Sequence, residues 1–130
     1  MIEETLAKLN GKKALIGVIG LGYIGLPLAN SFSKQGFKVI GFEIDEEKIN
    51  KLNSNKSYIS SISNEQILEM NKNGFIPTSN FADVTKLDVI IICVPTPLRG
   101  KTTPDLRFIL GTMQDISPYL KKGQILSLES

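Results

Sequence analysis

The sequence predicts an α/β fold: a doubly wound parallel sheet in three layers, with helices on both faces and a short N-terminal helix. Three observations predict it. Apolar runs over residues 15–19, 37–42 and 87–94 are rich in valine and isoleucine and end at glycine, an acid or proline. Stretches with helical apolar spacing lie between them, the alternation that builds parallel sheets. The run Leu87-Asp-Val-Ile-Ile-Ile-Cys-Val94 is apolar on both faces, as a strand covered on both sides must be.

Each element follows in order. Ile2, Leu6 and Leu9 share one side of a short helix over residues 2–10, which Gly11-Lys-Lys13 ends. Residues 15–19 form the first strand. The next helix carries Ile24, Leu28 and Phe32 at helical spacing, tolerates Pro27 in its first turn and stops at Gly36. The second strand covers residues 37–42. Asp45 caps a helix reaching about Leu52, with Glu46 and Glu47 favourable at its positive end. Residues 53–63 form a polar loop anchored by Tyr58, Ile59 and Ile62. Ser63 and Gln66 form a capping box for a helix over Ile67, Leu68 and Met70, ended by Asn73-Gly74. Residues 75–78 form a short strand, which Pro77 places at an edge. Pro95-Thr96-Pro97 ends the strand of residues 87–94, and residues 100–103 form a flexible polar loop. Thr103 as N-cap and Pro104 at the first helical position open a helix, with Ile109, Met113, Ile116 and Leu120 as its buried stripe. Gly123 breaks it before a last strand over residues 124–128. Residues 1–13 thus read as a helical extension and residues 14–130 as one domain.

The sharpest signal is Gly20-x-Gly22-x-x-Gly25, set directly between the first strand and the helix after it. This is the strand, turn and helix of a Rossmann-like dinucleotide-binding unit. Gly20 permits the tight turn. Gly22 lets the backbone approach a pyrophosphate. Gly25 allows close helix–strand packing, and the helix start offers free N–H groups to phosphate oxygens. Glu43 closes the second strand where this fingerprint carries an acid for the adenosine ribose. A carboxylate there accepts from the ribose hydroxyls and repels a 2′-phosphate. No arginine follows, so the predicted cofactor is NAD rather than NADP. If residues 87–94 are the fourth strand, Thr96 lies beside the cofactor at the topological switch point.

Composition narrows the function further. Of 130 residues, 42% are hydrophobic and 22% charged, and the net charge is +2, too small to argue for nucleic acid or a membrane surface. No apolar run approaches bilayer-spanning length, and the acidic N-terminus does not read as a signal peptide. One cysteine excludes an internal disulfide and fits a reducing cytoplasm. Without histidine the chain lacks the usual zinc ligands and the commonest general base. Cys93, within an apolar strand, reads as a core residue.

Together these motifs resemble one family, the nucleotide-sugar 6-dehydrogenases (the UDP-glucose/GDP-mannose 6-dehydrogenase family). The matching segments are Gly17-Val-Ile-Gly-Leu-Gly-Tyr-Ile-Gly-Leu-Pro-Leu-Ala29, Gly41-Phe-Glu-Ile-Asp45 with Lys48, Cys93-Val-Pro-Thr-Pro-Leu98 and Leu126-Ser-Leu-Glu-Ser130. Ser57-Tyr58-Ile59, Pro104-Asp105-Leu106 and Gly123-Gln-Ile-Leu-Ser-Leu-Glu-Ser130 are most similar to UDP-N-acetylglucosamine 6-dehydrogenases. The resemblance implies oxidation of a sugar C6 hydroxyl to a carboxylate with two NAD. It implies that Gly20, Gly22, Tyr23, Ile24 and Gly25 hold the pyrophosphate and that Glu43, standing for the commoner aspartate, and Lys48 hold the adenosine side. It further implies that Val94, Pro95 and Thr96 lie against the cofactor, Thr96 on its nicotinamide half, and that Ser130 belongs to the same site. The family's nucleophilic cysteine and helper lysine belong to a later domain, so this chain is expected to bind NAD without oxidising sugar. A UDP-sugar substrate and a homo-oligomer are implied for the full-length enzyme. A UDP-N-acetylmannosamine or UDP-glucose specificity, or a free-standing nucleotide-sensing module, stay open as alternatives.

Overall fold

The computed structural model describes residues 2–129. Along the chain lie α1 (Ile2–Asn10), β1 (Leu15–Ile19), α2 (Gly25–Lys34), β2 (Lys38–Phe42), α3 (Glu46–Asn53), α4 (Asn64–Lys72), β3 (Ile76–Thr78), β4 (Val89–Ile92), β5 (Leu98–Arg99), β6 (Thr103–Pro104), α5 (Arg107–Ile116) and β7 (Ile125–Leu128). Short 3-10 turns cover Phe81–Lys86 and Ser117–Tyr119. The main sheet has five strands in the order β3-β2-β1-β4-β7, all paired in parallel. In register, Ile16 lies beside Val39 on one side and Val89 on the other. The direction of winding therefore reverses between β1 and β4. Among the described residues no helix is long and apolar enough to cross a membrane.

Alternation along the strands divides the core between the two faces. Ile16 and Val18 pack with Leu26 and Ala29 of α2 and Ile67 and Met70 of α4. Ile19, Ile90 and Ile92 pack with Val84, Leu87 and Ile116. This is the three-layer arrangement expected, and the caps agree with it. Asp45 accepts from the Glu47 N–H at 3.0 Å, and Ser63 and Gln66 form the reciprocal capping box. Asp88 fastens the front of the sheet, accepting from the Leu15 N–H at 2.8 Å and from Lys8 Nζ at 3.1 Å.

Several expectations are corrected. Strand ends draw in by one or two residues, and Cys93 falls just after β4 rather than inside it. In α1, Ile2 and Leu6 are exposed. Leu9 alone of the expected stripe packs against the core, and the buried Thr5 helps dock the helix, its hydroxyl donating to the Gly123 carbonyl at 2.6 Å. In α2 the buried ridge is Gly25, Leu26, Ala29 and Ser33, because small residues let the helix approach the sheet. Leu28 and Phe32 pack at its margin, and Ile24 is exposed. Thr103 and Pro104 do not open a helix, nor are residues 100–103 a free loop. They turn back antiparallel on Leu98 and Arg99, and α5 starts at Arg107, whose N–H the Asp105 carboxylate accepts at 3.0 Å. That helix ends at Ile116, so Leu120 lies beyond it and is exposed.

Candidate functional site

The ends of β1, β2 and β4 open on one cleft of about 860 Å³ at the switch point. After β1 come Gly20, Leu21, Gly22, Tyr23 and Ile24. Glu43 and Ile44 follow β2, and Lys48 comes from α3. Cys93, Val94, Pro95, Thr96 and Pro97 follow β4. Every expected cofactor residue is therefore on this cleft, with two exceptions. Gly25 is buried behind the turn, and Ser130 lies outside the described residues.

The three glycines have separable causes. Gly20 has φ +93°. A Cβ on Gly25 would sit 1.7 Å from the Gly20 carbonyl oxygen, so the start of α2 presses directly on the turn. A Cβ on Gly22 would meet no atom within 4 Å. The protein's own packing thus explains Gly25 and gives no reason for a glycine at position 22. The start of α2 has no side-chain cap and no acid in its first turn, which suits an anion, although the Leu26 N–H is already taken by the Gly22 carbonyl at 3.1 Å.

Glu43 is buried, 9% exposed, and its carboxylate ties two segments together. Oε1 accepts from the Leu21 N–H at 3.2 Å, and Oε2 accepts from the Asp45 N–H at 3.0 Å. A carboxylate has about four acceptor positions, so lone pairs remain for a diol. Tyr58 Oη donates to the Leu21 carbonyl at 2.5 Å, and Lys48 Nζ lies 5.3 Å from the Tyr58 ring centre. Burial, with Glu43 and Asp45 nearby, pushes the Tyr58 phenol well above its ordinary pKa, so it keeps its proton. Burial also pushes the Cys93 thiol up to about 11, helped by Glu129. A neutral thiol at that depth fits packing rather than nucleophilic chemistry.

The opposite wall went unnoticed in the sequence. Phe81, Arg107, Phe108, Thr112 and Asp115 also line the cleft. Phe108, Thr112 and Asp115 recur at helical spacing on α5 beside the Ile109, Met113 and Ile116 stripe. That second stripe was legible as a face turned to something other than core.

The profile of the UDP-glucose/GDP-mannose dehydrogenase family, NAD binding domain, matches residues 14–130. The chain belongs to this family. It is an NAD-binding domain, and the open Gly22 flank, the uncapped start of α2 and buried Glu43 fit that cofactor. The UDP-N-acetyl-D-mannosamine dehydrogenase of Methanococcus aeolicus is 43% identical over 122 residues, 88% of this chain and 27% of that protein. The enzyme of that name from Escherichia coli K12 is 35% identical over 118 residues, covering 90% of this chain and 28% of that one. The solved UDP-D-ManNAc dehydrogenase of Pyrococcus horikoshii superposes with TM-score 0.82 and 35% identity, over 89% of this chain and 28% of that chain. The chain therefore spans less than a third of the length of these relatives.

Proposed function

We propose that this chain is the cofactor-binding part of a UDP-N-acetylhexosamine 6-dehydrogenase. In that enzyme the sugar C6 hydroxyl is oxidised to a carboxylate with two NAD. The observation that carries the reading is the meeting of Gly22 and Glu43 on one cleft between β1, β2 and β4. In this reading the Gly20–Gly25 turn, with Tyr23 and Ile24, holds the pyrophosphate. Glu43 accepts from the adenosine ribose, and Lys48 flanks it. Val94, Pro95 and Thr96 support the nicotinamide half. Bound NAD would supply the hydride acceptor. The chain's own groups bind and orient it, and the Cys93 thiol, which burial pushes up to about 11, is not offered as a nucleophile.

Residue patterns such as Ser57-Tyr58-Ile59 favour UDP-N-acetylglucosamine as substrate, whereas the names of the relatives favour the mannosamine epimer. We take the mannosamine reading first and keep the glucosamine epimer as its alternative. Residues 1–13 then form an extension, and sugar-binding domains complete the enzyme.

Calorimetric titration of this chain with NAD and NADP tests the cofactor part. Saturable NAD binding with NADP at least about tenfold weaker is expected, since Glu43, Asp45, Glu46 and Glu47 oppose a 2′-phosphate. Equal affinities would overturn the assignment of Glu43. NADH formation by the complete enzyme with each UDP-N-acetylhexosamine decides the epimer. Formation of NADH by this chain alone would refute the division of labour.

A further inference from the structure

Leu21, between the first two glycines, is held at three points. Its side chain is buried without exposure. Its N–H donates to Glu43 Oε1 at 3.2 Å, and its carbonyl accepts from Tyr58 Oη at 2.5 Å. Glu43 follows β2, while Tyr58 comes from the loop between α3 and α4. That loop is itself fixed. The Ser57 N–H donates to Asn64 Oδ1 at 2.9 Å, and the Ser57 hydroxyl donates to the Ile59 carbonyl at 2.9 Å.

A trans peptide turns its C=O and N–H to opposite sides. Holding the Leu21 carbonyl against Tyr58 therefore turns the Gly22 N–H away from Tyr58, and Gly22 itself lines the cleft. The lock matters because Gly22 has no Cβ, so rotation of this peptide meets little steric resistance. Without a partner for the carbonyl, the turn would sample orientations that point the N–H elsewhere.

We propose that Tyr58 is a positioning residue for the cofactor pyrophosphate, its hydroxyl fixing the Leu21–Gly22 peptide so that the Gly22 N–H faces the cleft before the cofactor arrives. The inference rests on the NAD reading above. Lys48 joins the two sites physically, since it lines the cleft and lies over the Tyr58 ring.

The test is Tyr58→Phe, which keeps the ring, its packing and the Lys48 contact. NAD, ADP-ribose and adenosine are titrated into the unaltered chain and the variant, well below both thermal midpoints. NAD and ADP-ribose should weaken by about fivefold to tenfold, the size of one hydrogen bond, and adenosine by less than about twofold. Amide exchange at Gly22 should quicken in the variant. Equal NAD affinity in the two chains overturns the proposal even if the thermal midpoint falls, because Tyr58 then serves stability alone. An equal loss for all three ligands also overturns it, since adenosine has no pyrophosphate. If the unaltered chain binds no NAD, the cofactor reading fails and takes this inference with it.

Discussion

On the face of the sheet that carries α2 and α4, buried residues from five segments meet: Ile16, Leu26, Leu52, Ile67 and Phe75 all lie in one cluster. On the other face a second buried cluster, with Ile19, Phe42, Val84, Ile90 and Ile92, takes Ile116 alone from the covering helix α5. Leu106, Phe108, Leu110, Leu126 and Leu128 on that side remain between 44% and 59% exposed. The cleft is built from both. Its glycine wall rests on the thick face, where Leu21 and Glu43 are buried and hydrogen-bonded. Its α5 wall rests on the thin one. A wall that must present backbone N–H groups at fixed positions needs a close-packed support. A wall that offers side chains to one flank of a ligand does not. The difference assigns rigidity to the glycine wall and adaptability to the α5 wall.

The largest effect should come from Gly25, where the thick face meets the turn. Gly25→Ala places a Cβ 1.7 Å from a backbone oxygen that has nowhere to go. Destabilisation of ~4 kcal/mol or more is expected, with NAD binding lost. Gly22→Ala is the contrasting case. Its Cβ meets no protein atom, so the thermal midpoint should barely move while NAD affinity falls more than about tenfold. Thermal unfolding and calorimetry on the pair check this. If Gly22→Ala unfolds the chain as Gly25→Ala does, the turn is one rigid unit and Gly22 is not a ligand-facing position.

Next in size is a direct comparison of the faces. Leu52 is fully buried on the thick side, and Leu128 is 53% exposed on the thin one. Leu52→Ala should cost ~2–5 kcal/mol in chemical denaturation, and Leu128→Ser within ~0.5 kcal/mol. Similar costs would mean that β7 is held by packing that its exposure does not reveal.

The same division separates what was legible in the sequence from what was not. The thick face is written in local signals. The Gly20–Gly25 turn, the Asp45 cap and the Ser63 capping box each act within a few residues and lie where their patterns placed them, and Glu43, though it reaches back to the Leu21 N–H, was marked by its place at the end of the second strand. The thin face depends on pairings that no local pattern carries. Thr103-Pro104 has the chemistry of a helix start, yet Leu98 pairs with Pro104 and the Asp105 N–H donates to the Pro97 carbonyl at 2.6 Å. The helix is thereby displaced to Arg107. In α1 only Leu9 of the apolar stripe reaches the core, and the helix is otherwise tied down by the Thr5 hydroxyl on Gly123 and by Lys8 on Asp88, contacts across most of the chain that periodicity does not encode. The α5 wall was half legible, since Phe108, Thr112 and Asp115 keep helical spacing while their partner is a cleft rather than a core.

The smallest expected effect asks what holds α5 in place if burial contributes so little. Asp105 accepts from the Arg107 N–H at 3.0 Å and from its guanidinium Nη2 at 2.7 Å. Hydrogen bonds from the Arg107 side chain first, and then its backbone, hold the Asp105 carboxyl down to about 2 from its ordinary 3.8. A carboxylate with a lower pKa folded than unfolded contributes stability that is complete above the unfolded value and lost as pH falls through the folded one. Asp105→Asn should therefore lower the urea midpoint by a small, constant amount from neutral pH down to about 4, and the gap should close as pH approaches 2. The effect is small because the Arg107 side chain is 76% exposed and screened by water. A gap that stays constant through pH 2 would show that the carboxyl oxygen acts only as a neutral cap. A gap that closes makes the start of α5 a charge-held joint, in keeping with a wall anchored at one end and free along its exposed length.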